Sequence, residues 1–193
     1  MTHPHHPPAG RALGDEEFER RARDLRWLLT DVDGVLTDGA MLYGPAGEEM
    51  KRFHVRDGLA LKLARSTGLR VGLLSARGNR AVEIRARELG LDRLMLGQRD
   101  KVGALEALLG EEGISAGQIA YLGDDLPDLG VLGRVGLAFC PADAAAEVCE
   151  VAHRVLTTLG GHGAAREAVE LILKARGQWR SAVEPFYQRK DPS

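Results

Sequence analysis

Short apolar runs alternate with stretches of helical spacing along most of this chain. Strand-like runs stand at 26–30 (RWLLT), 69–75 (LRVGLLS), 92–97 (DRLMLG), 118–125 (QIAYLGDD) and 137–140 (LAFC), with a last edge strand at 153–157. Helical spacing fills 58–68, 79–90, 101–113, 127–136, 144–152 and 163–177, and Gly68 and Gly90 stand where helices end. Strands that alternate with helices of about 10–15 residues predict a parallel sheet covered on both faces. The fold class is therefore α/β, a Rossmann-like three-layer arrangement. One segment breaks the rhythm. Residues 39–55 carry two strand-like arms around Gly44-Pro45-Ala46-Gly47 and predict a small β-hairpin insertion.

One domain is expected over 15–176. The stretch 15–25 reads as a charged helix with Asp15 as its N-cap. Residues 1–14, rich in His, Pro and Gly, read as a disordered leader whose His3, His5 and His6 form no deliberate site. Residues 177–193 read as a C-terminal tail. A net charge of -2 offers no basic footprint for nucleic acid. No apolar run approaches the ~20 residues that span a bilayer. With no secretory pattern at the N-terminus, the chain reads as cytoplasmic, and Cys140 and Cys149 as reduced structural thiols.

Ligands of open parallel sheets bind beyond the carboxyl ends of the strands. Asp31 and Asp33 follow the first strand, Ser75 the second, Lys101 opens a helix after the third, and Asp124, Asp125 and Asp128 follow the fourth. Acids this close repel one another unless a cation neutralises them. The set suits Mg²⁺, which takes one or two carboxylates plus waters and substrate phosphate. Lys101 and Ser75 can hold phosphate oxygens, one carboxylate can act as nucleophile, and a second can move protons.

These residues carry a resemblance. "DVDGVLTDG", "LLSAR", "QRDK" and "YLGDDLPD" resemble the four motifs of the haloacid dehalogenase superfamily of phosphatases, over about residues 27–174. More narrowly, with "GEEMKRFHVRDG" and "GGHGAARE", the chain is similar to the 3-deoxy-D-manno-octulosonate 8-phosphate (Kdo 8-phosphate) phosphatases. The resemblance implies that Asp31 is nucleophile and Mg²⁺ ligand. It implies that Asp33 is general acid/base and a ligand through its backbone carbonyl, and that Asp124 is the third ligand. Ser75 and Lys101 would bind the transferring phosphoryl group, while Asp125 and Asp128 orient metal waters or Lys101. In one respect the chain departs from the pattern: the usual Ser/Thr-Gly-Arg is here Ser75-Ala76-Arg77. If that position needs a positive φ, Ala76 is strained; if not, nothing is lost.

Substrate selection falls to residues near the cleft: Arg56, Asp57, Gly58, Lys62, Arg77 and Arg85, with His54 and Val55 beside them. The segment 56–58 is expected immediately before a helix, where amides favour anions. Arg77 suits a substrate carboxylate through its two-pronged fork. In relatives that act on nine-carbon acids the matching position tends to carry Glu, so the expected reaction is Mg²⁺-dependent hydrolysis of Kdo 8-phosphate through an aspartyl-phosphate. The alternatives are a phosphatase for a nine-carbon acid 9-phosphate and a broad sugar-phosphate phosphatase. A phospho-aspartate receiver domain is remote, because its acceptor Asp follows a later strand. The resemblance also implies a homotetramer. In it, the glycine turn of 159–167 and the tail, with Trp179, Phe186 and Tyr187, would help cover the site, and Arg166 would brace the turn.

Overall fold

The computed structural model describes residues 12–188. Helix α1 (Asp15–Asp24) leads into β1 (Trp27–Thr30), and the hairpin strands β2 (Leu42–Tyr43) and β3 (Glu49–Met50) follow. Then come α2 (Val55–Ser66), β4 (Arg70–Leu74), α3 (Arg80–Leu89), β5 (Arg93–Met95), α4 (Lys101–Glu112) and β6 (Ile119–Leu122). The chain continues through α5 (Leu129–Leu132), β7 (Leu137–Cys140), α6 (Ala146–Val151), β8 (Arg154–Val155), α7 (Ala164–Ala175) and α8 (Trp179–Tyr187). Six strands form one parallel sheet in the order β5-β4-β1-β6-β7-β8, and β2 pairs with β3 antiparallel. This is the expected α/β architecture with a hairpin in place of a cap.

Successive strand residues point to opposite faces, so each inner strand feeds two cores. In β1, Leu28 packs with α1, α2, α3 and α7, whereas Trp27 and Leu29 pack with α4, α5 and α6. β1 lies between β4 and β6, with Thr30 level with Leu73 and Leu122. The residues that leave these three strands therefore emerge side by side.

Several boundaries differ from the sequence reading. Gly14, not Asp15, is the N-cap of α1; Asp15 starts the helix, favourable at its positive end, and pairs with Arg154 at 2.7 Å. Helix α2 begins at Val55, because His54 Nδ1 accepts the Arg56 amide as an N-cap. Arg56, Asp57 and Gly58 thus lie in its first turn rather than before it. The tail region forms α8, which buries Ala182 and packs Trp179 and Val183 on the core. Just before it, Arg176 Nη1 donates to the carbonyls of Ala22 and Leu25, both at 2.9 Å, at the C-terminal end of α1. The His3, His5 and His6 leader lies outside the described residues. Among the described residues no helix is long and apolar enough to cross a membrane.

Candidate active site

Asp31 is the first residue beyond β1, its amide still in the ladder on Leu122 O at 2.9 Å. Its Oδ1 accepts the Val32 amide at 2.7 Å and its Oδ2 lies 2.9 Å from Lys101 Nζ. The chain then turns back, with the Leu36 and Thr37 amides on Val32 O. Gly34 carries the turn at φ +83°, and a Cβ there would fall 2.0 Å from Asp124 Oδ2. Glycine is needed both for the backbone and for the approach of the two loops.

Lys101 opens α4, and its buried ammonium reaches Asp31 at 2.9 Å and Asp128 Oδ1 at 2.6 Å. Asp128 Oδ1 also accepts the Tyr121 hydroxyl at 2.5 Å, while Oδ2 accepts the amides of Asp124 (3.0 Å) and Asp125 (3.3 Å). Both oxygens of Asp128 are thus committed to holding its neighbours. Asp125 turns away to cap the short 3-10 turn at Leu126–Asp128, accepting the Leu126 amide at 2.8 Å.

Asp124 differs from these. Its Oδ1 is buried and has no hydrogen-bond partner. Ligand oxygens of Asp31, Asp124 and Asp128 lie within 4.8 Å of one another. Burial, then the charges of Asp31 and Asp128, pushes the Asp124 carboxyl up to about 8. Burial likewise raises Asp31 to about 6 against the pull of Lys101. Lys101 itself would be lowered by burial, but Asp31 and Asp128 outweigh that and hold it above its ordinary value. One ammonium does not balance three carboxylates. An orphaned buried oxygen beside a second carboxylate is a donor set that fits a hard divalent cation.

Ser75 follows β4. Its Oγ accepts the Arg77 amide at 3.2 Å and its carbonyl accepts the Gln98 amide at 2.9 Å, which ties this loop to the one leading to Lys101. Among the described residues no non-glycine residue has a positive φ, so Ala76 carries no such strain.

Two hairpin residues enter the site that sequence reasoning missed. Lys51 Nζ bonds Asp33 Oδ1 and lies 2.8 Å from Glu49. Glu49 in turn takes Arg77 at 3.1 Å, and Arg77 Nε is 3.9 Å from Asp33. Glu49 and Lys51 are two apart at the end of a strand, which puts both on one face; that spacing was the available signal. Tyr121 left no signal, since an aromatic residue inside an apolar strand reads as core.

The expected substrate residues divide. Arg77 joins the cluster. Val55, Arg56 and Lys62 are exposed along α2, and His54 caps that helix. Arg85 pairs with Glu88 at 3.3 Å and covers Gly58, where a Cβ would meet its Nη2 at 2.2 Å. Asp57, expected as a substrate contact, has one committed oxygen, while its Oδ2 is buried without a hydrogen-bond partner. Its carboxylate is buried, and Oδ1 accepts the Arg166 amide at 2.9 Å in the first turn of α7. A carboxylate among a helix's first amides is a structural cap. The glycine turn packs on the loop after Asp31: the Gly161 amide donates to Val35 O at 2.8 Å, and a Cβ on Gly160 would lie 1.8 Å from Gly34 O. Arg166 pairs with Glu170 at 3.3 Å and stacks 4.8 Å over the Trp179 ring.

The arrangement brings together a carboxylate held by an ammonium, a pair of acids that suits a divalent cation, a hydroxyl and a second acid. No protein-family model matches the sequence. Curated relatives do. The chain is 39% identical over 161 residues to the 3-deoxy-D-manno-octulosonate 8-phosphate phosphatase KdsC of Haemophilus influenzae, covering 83% of this chain and 89% of that one. It superposes on a probable YrbI family phosphatase from Pseudomonas syringae with a TM-score of 0.88 at 40% identity, covering 91% and 99% of the two chains. It also matches the 3-deoxy-D-manno-octulosonate 8-phosphate phosphatase of Moraxella catarrhalis, solved with magnesium, phosphate and Kdo, at a TM-score of 0.86 and 36% identity over 89% and 98%.

Proposed function

The chain belongs to the 3-deoxy-D-manno-octulosonate 8-phosphate phosphatases, and from that premise we propose that it hydrolyses Kdo 8-phosphate to Kdo and inorganic phosphate with Mg²⁺. The observation that carries this reading is the junction of Asp31, Lys101 and Asp128 beside the orphaned Asp124 oxygen. Mg²⁺ would be held by the Asp31 and Asp124 carboxylates and the Asp33 backbone carbonyl. When bound, it neutralises the acids and draws electron density from the phosphoryl oxygens.

Asp31 attacks phosphorus while the bond from phosphorus to the ester oxygen breaks, and Asp33 gives that leaving oxygen a proton. Water then attacks the aspartyl-phosphate and returns a proton to Asp33, which frees Asp31 and phosphate. Lys101 and the Ser75 hydroxyl hold the phosphoryl oxygens throughout. Asp128 keeps Lys101 aimed, since it binds the ammonium and both following-loop amides at once. Arg77 faces the substrate carboxylate with the donors that Glu49 does not occupy.

The hairpin is too small to close this cleft, and it exposes Met41, Leu42, Tyr43 and Met50. A surface of that kind supports association of hairpins in a homotetramer, for which light scattering is the check. The reading also puts the reaction in the cytoplasm: Cys140 and Cys149 stand as free thiols with Sγ atoms 3.9 Å apart, which suits a reducing compartment.

The decisive assay measures phosphate release with Mg²⁺ from Kdo 8-phosphate, a nine-carbon acid 9-phosphate and a neutral hexose phosphate. Kdo 8-phosphate should have the highest kcat/KM. A clear preference for the nine-carbon acid would transfer the assignment to that substrate, and equal rates would make it a broad phosphatase. Mg²⁺ binding should also depend on pH. Acids raised to about 8 and about 6 are partly protonated near neutrality, so the cation must displace protons. Affinity measured by calorimetry should therefore rise between pH 6 and pH 8.5, with proton release on binding. Affinity flat over that interval would remove Asp124 from the ligand set.

A further inference from the structure

Lysine is almost never fully buried unless it is paired. Lys51 leaves an exposed hairpin, yet its side chain is 1% exposed, because it runs inward between two carboxylates. One of these is Glu49, its neighbour on the strand. The other is Asp33, from the loop after β1. The two oxygens of Asp33 are treated differently. Oδ1 is taken by the Lys51 ammonium, while Oδ2 is buried without a hydrogen-bond partner and lies 3.9 Å from Arg77 Nε. An ammonium has three donors and no acceptor, so Lys51 can restrain Asp33 but cannot take a proton from it while charged.

We propose that Lys51 is a positioning residue: clamped by Glu49, it holds Asp33 Oδ1 and thereby assigns proton transfer to Oδ2. This rests on the phosphatase reading above and adds a function for the hairpin within its own subunit. A carboxylate free to rotate presents either oxygen in many directions. One held at Oδ1 presents Oδ2 along a single path toward the leaving oxygen, and later toward the attacking water. Glu49 also fixes Arg77, so a single acid sets both the proton-transfer group and the candidate carboxylate reader.

The test is a mutant cycle on the full chain. General acid/base catalysis contributes about 10²–10⁴-fold, and mispositioning forfeits part of it. Lys51→Met should lower kcat about 10- to 100-fold with KM within about 3-fold, because no substrate contact is lost. Lys51→Arg should recover activity to within about 5-fold of the parent, since it restores a cation with donors. Most telling, Lys51→Met placed on Asp33→Asn should cost no more than about 3-fold beyond Asp33→Asn alone, as expected of two residues acting as one unit. A raised KM at unchanged kcat would make Lys51 a substrate contact and overturn the proposal. So would losses that multiply in the double variant, or an Arg variant no better than Met. If Lys51→Met fails to fold, Glu49→Gln carries the kcat arm of the cycle, with a smaller fall that also vanishes on Asp33→Asn, while its KM reports the freed Arg77 instead. A parent enzyme inactive on every phosphate ester would overturn the phosphatase reading itself. An active parent indifferent to Lys51 would overturn this proposal alone.

Discussion

Asp31→Asn should abolish phosphate release, lowering kcat by at least about 10⁴-fold, while leaving a folded protein. The chemistry demands the loss. An amide oxygen is a poor nucleophile, and removing a covalent nucleophile costs nearly the whole catalytic advantage of its group. The structure says why the fold should survive. The Asn side chain keeps an oxygen for the Val32 amide at the place of Oδ1. Lys101 loses one carboxylate and retains Asp128 at 2.6 Å. Burial already disfavours the Asp31 charge, raising its carboxyl to about 6, so a neutral isostere removes an unfavourable charge along with a favourable contact. The melting temperature should shift by only a few degrees. A variant that keeps more than a few per cent of parent activity would take the nucleophile role away from Asp31.

Asp128→Ala should damage both stability and turnover. Asp128 is fully buried, and four donors converge on it: Lys101, the Tyr121 hydroxyl and the amides of Asp124 and Asp125. Taking one partner from a buried charge-assisted network costs about 3–5 kcal/mol, because the remaining groups stay desolvated and unmatched. In a chain of this size each kcal/mol lowers Tm by about 2–4 °C, so a fall of roughly 6–20 °C is expected. Activity should fall at least about 100-fold even at temperatures where the variant is folded, since Lys101 and the backbone of Asp124 lose their common anchor. Calorimetry and initial rates on the same preparation separate the two effects. A variant with parental Tm and parental kcat would show that Asp128 braces nothing.

Much of this was legible in the sequence because strand and helix periods are local. The six parallel strands, the hairpin turn at residues 44–47 and the helix stop at Gly90 follow from nearest-neighbour chemistry. So do the positions of Asp31, Ser75 and Asp124, each of which stands within two residues of the end of an apolar run. What resisted was set by distant partners. Asp57 looked like an anion-site residue but meets α7, more than a hundred residues away along the chain. Lys51 gains its role from Asp33, 18 residues back, and Tyr121 from a hydroxyl bond to Asp128, 7 residues on, pairings that no strand or helix period encodes. Helix α8 was hidden for another reason: Pro185 lies within it, and proline argues against a helix when neighbours are read alone.

Gly160 and Gly161 lie directly against Gly34 and Val35, so the turn that packs on the loop after Asp31 is made some 130 residues after Asp31 itself. During synthesis at roughly 5–20 residues per second, Asp31 leaves the ribosome about 6–26 s before its support. Lys101 and Asp128 are made partway through that interval, and the glycine turn only at its end. Phosphate release is therefore expected only once the glycine turn has been made. Ribosome-stalled chains ending before residue 155 should release no phosphate, whereas release from such chains would show that the loop shapes itself.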